Sequence, residues 1–593
     1  MNIFSVEMYY IAKIENRGGY LTMGKGKKIV IVGGVGGGAT AAARLRRLDE
    51  NAEIVMFERG PHVSFSNCSL PFHLSGVVQD HESLILKSPA QLYGQYRIDA
   101  RVLSEVTSID RENKQVHIKN LETNEEYVEK YDKLILSPGA NPIIPPFEGM
   151  DDVNLFTMRN VGDVVSLDSF LKEKKCKDVT VIGGGFIGIE VAENLKMAGY
   201  DVTIVEALDQ IMKPFDYDMV QILHKEIYDK KINLIVGDKV SKFEKDTVVL
   251  DSGRKIKSDA VVMAIGVSPE TSLAKDADLD IGETKAIKVD QSYRTNDKDI
   301  YAVGDAIEVY NSLLHSKSRL ALGGPAQRQA RSAADHIYGK TVSNPGVIGS
   351  SVIQVFDYNA ASTGLTEGLI KATDMQIEYD IVRLVIEDKV GLMPDKELIH
   401  LKVIFEVPTG RILGAQAIGK GAADKRIDVI ATVIKFNGTL QDLKELELTY
   451  APPFNNARGV INQAGLVGLN ILEGAYKQVY VEQAREIVES GAYILDVRTE
   501  KTHNMGHLKN AVNIPVAELR DRLDEIPKDR PVYMHCTIGQ NSYGALMALQ
   551  QLGFDNISNI SGGFAGISFY EYFNDKTTDR EPIVTDYIFK KLP

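Results

Sequence analysis

Residues 28–40 read Lys28-Ile29-Val30-Ile31-Val32-Gly33-Gly34-Val35-Gly36-Gly37-Gly38-Ala39-Thr40, an apolar run that passes through six residues, five of them glycine, into an alanine-rich stretch. The pattern predicts strand, tight turn and helix. Glycines let the backbone approach a pyrophosphate, and a helix N-terminus offers free amides carrying about half a positive charge. The spacing departs from G-x-G-x-x-G, because Val35 stands where the second glycine belongs. The next strand, Glu53-Ile54-Val55-Met56-Phe57, ends at Glu58, placed to accept from an adenosine ribose hydroxyl. A dinucleotide site built from Gly33, Val35, Gly36, Gly38 and Glu58 is therefore expected.

A second copy follows at Asp178–Ile182, with Gly183-Gly184-Gly185-Phe186-Ile187-Gly188 matching the full fingerprint and Asp201–Val205 ending at Glu206. An acid there accepts from a free 2′-hydroxyl and repels a 2′-phosphate, which favours NADH, with NADPH left open. Glu190 and Glu193 on the intervening helix read as a solvated face.

At 593 residues, 44% apolar, the chain has room for about four domains. Its net charge of -13 argues against a nucleic-acid partner. Three scattered cysteines, Cys68, Cys176 and Cys536, suit neither a disulfide scaffold nor a metal site, and point to a reducing cytoplasm. Residues 1–22 have no secretory pattern and are expected to be a disordered extension; no run reaches membrane-spanning length.

Two nucleotide motifs, together with Ile300-Tyr301-Ala302-Val303-Gly304-Asp305, resemble the two-dinucleotide flavoprotein reductases over about 28–465. The resemblance implies an α/β fold with FAD and NAD Rossmann-like domains. It places Gly304 and Asp305 on the flavin ribitol and reads Ser137-Pro138-Gly139 and Ala264-Ile265-Gly266 as crossings between the two domains. It adds Arg59, Ser137, Pro138, Gly139 and Arg159 to the FAD set, and Phe186, Ile187 and Gly266 to the NAD set. The implied domains are FAD (23–145 and 270–345), NAD(P) (146–269), an α+β dimerisation domain (346–465), a linker (466–477), and, from a further resemblance, rhodanese (478–580) with a tail (581–593).

Ser64-Phe65-Ser66-Asn67-Cys68-Ser69-Leu70-Pro71 carries a lone thiol, with no second cysteine to form an internal disulfide. This segment resembles the coenzyme A disulfide reductases, in which one cysteine attacks a disulfide, holds half as a mixed disulfide and is freed by electrons from reduced flavin. A thiol with an ordinary pKa is only a few per cent thiolate at neutral pH, so this route needs a positive potential or contact with oxidised flavin. Thr40, Arg44, Arg47, Ser64, Asn67 and Arg458 match coenzyme A contacts, and Tyr450 matches a proton donor reaching across a homodimer. The chain departs from that family in having Met393 where a second tyrosine is common and Gln327 where some relatives have histidine, so a persulfide or polysulfide is an alternative substrate to coenzyme A disulfide.

Tyr493-Ile494-Leu495-Asp496-Val497-Arg498, Gly506–Pro515 and the loop Cys536-Thr537-Ile538-Gly539-Gln540-Asn541 resemble rhodanese domains, implying Cys536 as a sulfur carrier and a helix beginning near Ser542. Many such loops carry arginine where Asn541 stands, which makes thiosulfate a poor donor. A reading of a different class, an NADH oxidase or peroxidase cycling Cys68 through a sulfenic acid, shares the motif. The appended domain argues against it.

Overall fold

The computed structural model describes residues 26–592 apart from Asp374, with no side-chain statement for Lys591. The expected extension at 1–22 lies outside the described residues.

Both fingerprints fold as the periodicity predicts. The run Lys28–Val32 is central in a parallel five-stranded sheet, flanked by Glu53–Phe57 and Lys133–Leu136, with Ile98–Arg101 and Ile300–Ala302 at the edges. Ile29, Val30 and Ile31 are fully buried, as strands covered on both faces require. The second copy repeats this plan: Asp178–Ile182 lies between Asp201–Glu206 and Ala260–Met263, again in a parallel five-stranded sheet. Directly after Pro138-Gly139 and Gly266, the strands Ala140–Pro142 and Val267–Pro269 pair antiparallel, so the two expected crossings form one ribbon joining the domains.

An antiparallel sheet of five strands follows, from Ser350–Val355 to Ile412–Gly419, with helix Ala423–Lys435 packed on it. Last comes a parallel sheet in which Val532–His535 lies between Tyr493–Asp496 and Ile557–Ile560.

Two boundary expectations are corrected. The stretch read as a loosening linker is helical through Leu472, because helix Val460–Leu472 continues the apolar face of the third domain; Val467 and Ile471 also pack on the last domain's core. The stretch expected as a tail contributes to the core: Ile583, Val584 and Ile588 are buried with Phe564 and Ile567. Glu193, read as solvated, is buried.

The last domain docks on the others through helix Gly563–Thr577, which lies along helix Tyr217–Asp229. Phe573 meets His224 edge-on at 4.8 Å, and Phe569 meets His400 at 4.7 Å. Beneath this seam, Lys402 bridges Asp218 at 2.8 Å, Asp216 at 3.1 Å and Glu367 at 2.7 Å, while Arg383 pairs with Asp218. Buried charges are tolerated here because each has an opposite partner.

Candidate functional site

The two glycine turns are superposable in their constraints. Gly33 and Gly183 adopt φ of +98° and +110°, a left-handed region closed to most side chains. A Cβ on Gly38 would meet the Gly33 carbonyl oxygen at 1.8 Å, and one on Gly188 would meet that of Gly183 at 1.9 Å. Both helices thus start hard against their turns. Glu58 accepts from the amides of Gly34 (2.9 Å) and Gly60 (2.8 Å); Glu206 accepts from those of Gly184 (2.7 Å) and Leu208 (2.9 Å). A Cβ on Gly185 would meet nothing within 4 Å, so the space beside this residue is open. At the first turn Val35 takes that place and Gly36 is the open position.

That space belongs to a continuous cavity of 2450 Å³. It touches both turns, the crossing segments at Ser137–Gly139 and Ala264–Gly266, and Gly304-Asp305. Drug-sized ligands occupy roughly 300–1,000 Å³, so the volume accommodates two dinucleotides. Arg59 donates to Asn141 Oδ1 at 3.1 Å, and Arg159 donates to the same oxygen. Burial and the neighbouring Arg59 charge lower the Arg159 pKa, which places two crowded cations where a pyrophosphate is wanted. The Gly304 amide donates to Gln329 Oε1 at 2.8 Å, holding the turn that presents Asp305; burial raises the Asp305 pKa. The open space beside each glycine turn and the acid that closes each second strand fit a dinucleotide at both turns, with Arg59 and Arg159 suiting FAD at the first and a nicotinamide dinucleotide left for the second.

Cys68 lies in the short 3-10 turn Asn67–Ser69 that precedes Pro71–Leu74. Ser66 and Ser69 hydroxyls bond at 2.8 Å across it. Thr40, Ser64, Asn67 and Cys68 share the cavity wall. Cys68 is exposed to the cavity, yet desolvation, then the carboxyls of Glu190 and Asp305, push its thiol pKa up. Of the two routes to a thiolate, a positive potential or contact with oxidised flavin, these carboxyls oppose the first. Glu190, read as solvated, instead lines the cavity, and burial pushes its carboxyl up to about 7. Ser75 Oγ donates to Asn194 Oδ1 at 2.6 Å, locking the cysteine segment onto the helix that carries Glu190.

Other expected residues are not gathered here. Arg44 is paired with Asp335 at 2.5 Å. Arg47, Tyr450 and Arg458 are exposed and off the cavity wall. Asn141 and Gln329 were missed, since a lone amide outside any motif gives no sequence signal.

In the last domain Cys536 is buried and ends strand Val532–His535. Its sulfur accepts from the Gly539 amide at 3.2 Å and the Ser542 hydroxyl at 3.4 Å. The helix begins at Gln540 rather than Ser542, because Gly539 takes φ +101° and turns the chain at once. Gln540 and Asn541 are thus first-turn residues. Asp496 braces the domain through Arg498 (2.6 Å) and His503 (2.8 Å); despite burial, His535 and Arg498 hold its carboxyl well below the usual range. Cys176 is half-buried against the second domain's core, with its thiol raised by burial.

Residues 27–330 match the pyridine nucleotide-disulphide oxidoreductase model, 350–460 its dimerisation domain and 480–569 a rhodanese-like domain. A coenzyme A disulfide reductase of Staphylococcus epidermidis is 34% identical over 439 residues, 74% of this chain and 99% of that protein. The reduced CoADR-RHD of Bacillus anthracis superposes with a TM-score of 0.89 at 42% identity, covering 92% of this chain and 98% of the other. A NAD-dependent persulfide reductase of A. fulgidus gives 0.86 at 32% identity, covering 91% and 99%. The chain belongs to the pyridine nucleotide-disulphide oxidoreductase family and carries that family's dimerisation domain and a C-terminal rhodanese-like domain.

Proposed function

We propose that this protein uses NADH to reduce the sulfur–sulfur bond of coenzyme A disulfide, coenzyme A persulfide or polysulfide through Cys68, with the rhodanese-like domain handling sulfane sulfur on Cys536. The observation that carries this reading is a lone thiol on the wall of a cavity continuous with both glycine turns. Bound FAD would supply the acceptor for hydride and the donor of electrons to sulfur; Gly33, Val35, Gly36, Gly38, Glu58, Arg59, Arg159, Gly304 and Asp305 would hold it. The second turn, with Glu206, would hold NADH.

The Cys68 thiolate attacks a substrate sulfur, one half leaves as a thiolate, and the other stays as a mixed disulfide. Two electrons then cleave that bond, returning the thiolate and the second thiol. For a persulfide, RSSH + NADH + H⁺ gives RSH + H₂S + NAD⁺. Thr40, Ser64 and Asn67 orient the substrate beside the sulfur. Each leaving thiolate needs a proton, and Tyr450 is assigned as its donor from the partner copy in a homodimer; its exposure in a single chain suits that role. In the rhodanese loop, the Gly539 amide and Ser542 hydroxyl stabilise sulfur on Cys536.

Anaerobic NADH oxidation, measured separately with coenzyme A disulfide, coenzyme A persulfide, polysulfide and peroxide, tests this. Fast turnover of a sulfur substrate that vanishes in Cys68→Ser is expected. Activity confined to peroxide would replace this reading with the peroxidase.

A further inference from the structure

The dimerisation domain ends at 460 and the rhodanese-like domain begins at 480, so a connector belonging to neither joins them. Helix Val460–Leu472 forms most of it and is rooted in the dimerisation-domain core through Val460, Ile461 and Ala464. Gly474 then turns the chain at φ +71°, and the Asn470 carbonyl accepts from the amides of Ala475 (2.9 Å) and Tyr476 (3.1 Å), which fixes Tyr476 to the helix end. From there Tyr476 enters the rhodanese-like domain. Its side chain is buried in the same apolar cluster as Cys536, with Val467 and Ile471 of the helix packed against it. Asn559, fully buried on the strand beside the one that leads to Cys536, donates its side-chain amide to the Tyr476 hydroxyl. A buried phenol is held where it meets such a partner.

The connector also grips the helix that cradles the sulfur. The Asn470 side-chain amide donates to the Tyr543 hydroxyl at 3.0 Å, and the Tyr476 ring packs on the Tyr543 ring with centroids 5.5 Å apart. Tyr543 lies in the first turn of helix Gln540–Gln551, and its own amide donates to the Gly539 carbonyl at 3.1 Å. Gly539 places its amide on the Cys536 sulfur, and Ser542, the residue before Tyr543, places its hydroxyl there. Both donors are therefore within one turn of a side chain that the connector holds from two sides. Gly539 has no side chain to anchor it, and its φ of +101° is an open turn with nothing within 4 Å of a Cβ position. Burial pushes the Tyr476 hydroxyl up to about 12, so it is neutral at physiological pH, and Cys536 is close enough to act on it.

We propose that Asn470 and Tyr476 are positioning residues for the sulfur-carrying loop, so that the Cys536 site is assembled jointly by the rhodanese-like domain and the connector from the reductase. This rests on the role proposed above for Cys536. The step supported is Cys536-S⁻ + RSSH giving Cys536-SSH + RS⁻, followed, with cyanide as acceptor, by Cys536-SSH + CN⁻ giving Cys536-SH + SCN⁻. Neither Asn470 nor Tyr476 exchanges an atom or a proton in it. They hold the Gly539 amide and the Ser542 hydroxyl on a sulfur whose charge appears and disappears, where donors must stay within about 0.5 Å of their productive positions.

The test compares the FAD-loaded full chain with Asn470→Ala, Tyr476→Ala and Tyr476→Phe. Thiocyanate release is measured without NADH, with coenzyme A persulfide as donor and cyanide as acceptor, over the background of Cys536→Ser, and thermal melting is followed in parallel. Misalignment of one bond to a charged sulfur predicts that kcat falls about tenfold in Asn470→Ala and Tyr476→Ala, with the KM for the persulfide unchanged. Tyr476→Phe keeps the ring on Tyr543 and should retain most of the kcat. If Tyr476→Ala does not fold, Asn470→Ala decides the matter, since its side chain is only half-buried. A lowered melting temperature in Asn470→Ala with unaltered kcat would overturn the inference. Loss of kcat in Tyr476→Phe as large as in Tyr476→Ala would overturn it too, because the hydroxyl and not the ring would then be at work. An unaltered protein that releases no more thiocyanate than Cys536→Ser would instead remove the sulfur-carrier reading of Cys536, and the inference with it.

Discussion

Replacing Gly188 by alanine tests the second glycine turn where its tolerance is smallest. The added Cβ would lie 1.9 Å from the Gly183 carbonyl oxygen, against backbone that cannot rotate away. Restoring a tolerable contact of about 3 Å moves the helix start by roughly 1 Å, since overpacked sites relax by shifting backbone. A shift of that size takes amide–phosphate bonds past the range of a good hydrogen bond. Losing two bonds to a charged acceptor costs about 3 kcal/mol, or roughly a hundredfold in NADH affinity. Gly185→Ala is the informative partner: its Cβ meets nothing within 4 Å, so the fold should be unstrained and only the nucleotide obstructed. Both variants should retain FAD after gel filtration, because the first turn is untouched. Anaerobic NADH titration followed at the flavin absorbance reads affinity, and thermal melting reads strain. Gly188→Ala with normal NADH affinity would refute the assignment of this turn to the nicotinamide dinucleotide. A lowered melting temperature in Gly185→Ala would refute the strain argument.

Burial pushes His224 and His400 down to about 3 from an ordinary 6.5, so below pH 6.5 the unfolded chain takes up protons that the folded chain refuses. Stability is therefore fully present above 6.5 and falls as pH drops, by about 1.4 kcal/mol per histidine one unit below that value. Both rings pack on the rhodanese helix, so limited proteolysis at falling pH should release the C-terminal domain first; release at the reductase domains first would contradict this. Glu190→Gln removes a carboxylate that raises the Cys68 pKa, so the pH midpoint for iodoacetamide alkylation of Cys68 should fall; an unmoved or rising midpoint would count against that electrostatic coupling. Ser542→Ala takes one donor from the Cys536 sulfur and should slow sulfur transfer from a persulfide donor several-fold while leaving NADH oxidation with coenzyme A disulfide unchanged. Unchanged sulfur transfer would assign stabilisation to the Gly539 amide alone.

Much of this protein is determined by local sequence. The two strand–turn–helix units, the lone cysteine at Cys68 and the loop at Cys536 are contiguous segments, so their glycines and apolar runs disclose them without knowledge of the rest. The paired crossings at Ser137–Gly139 and Ala264–Gly266 were legible for the same reason. Tertiary structure decided what depends on partners distant in the chain. Asp335, 291 residues from Arg44, turns a plausible substrate cation into a helix clamp. The cysteine segment, docked through Asn194, makes Glu190 a cavity residue whose carboxyl opposes the Cys68 thiolate. The helical linker and buried tail escaped a reading by composition, because their apolar residues acquire meaning only from the surfaces they cover. Periodicity and turn chemistry act over a few residues and can be read in order; burial and charge pairing are sums over neighbours that only the folded chain assembles.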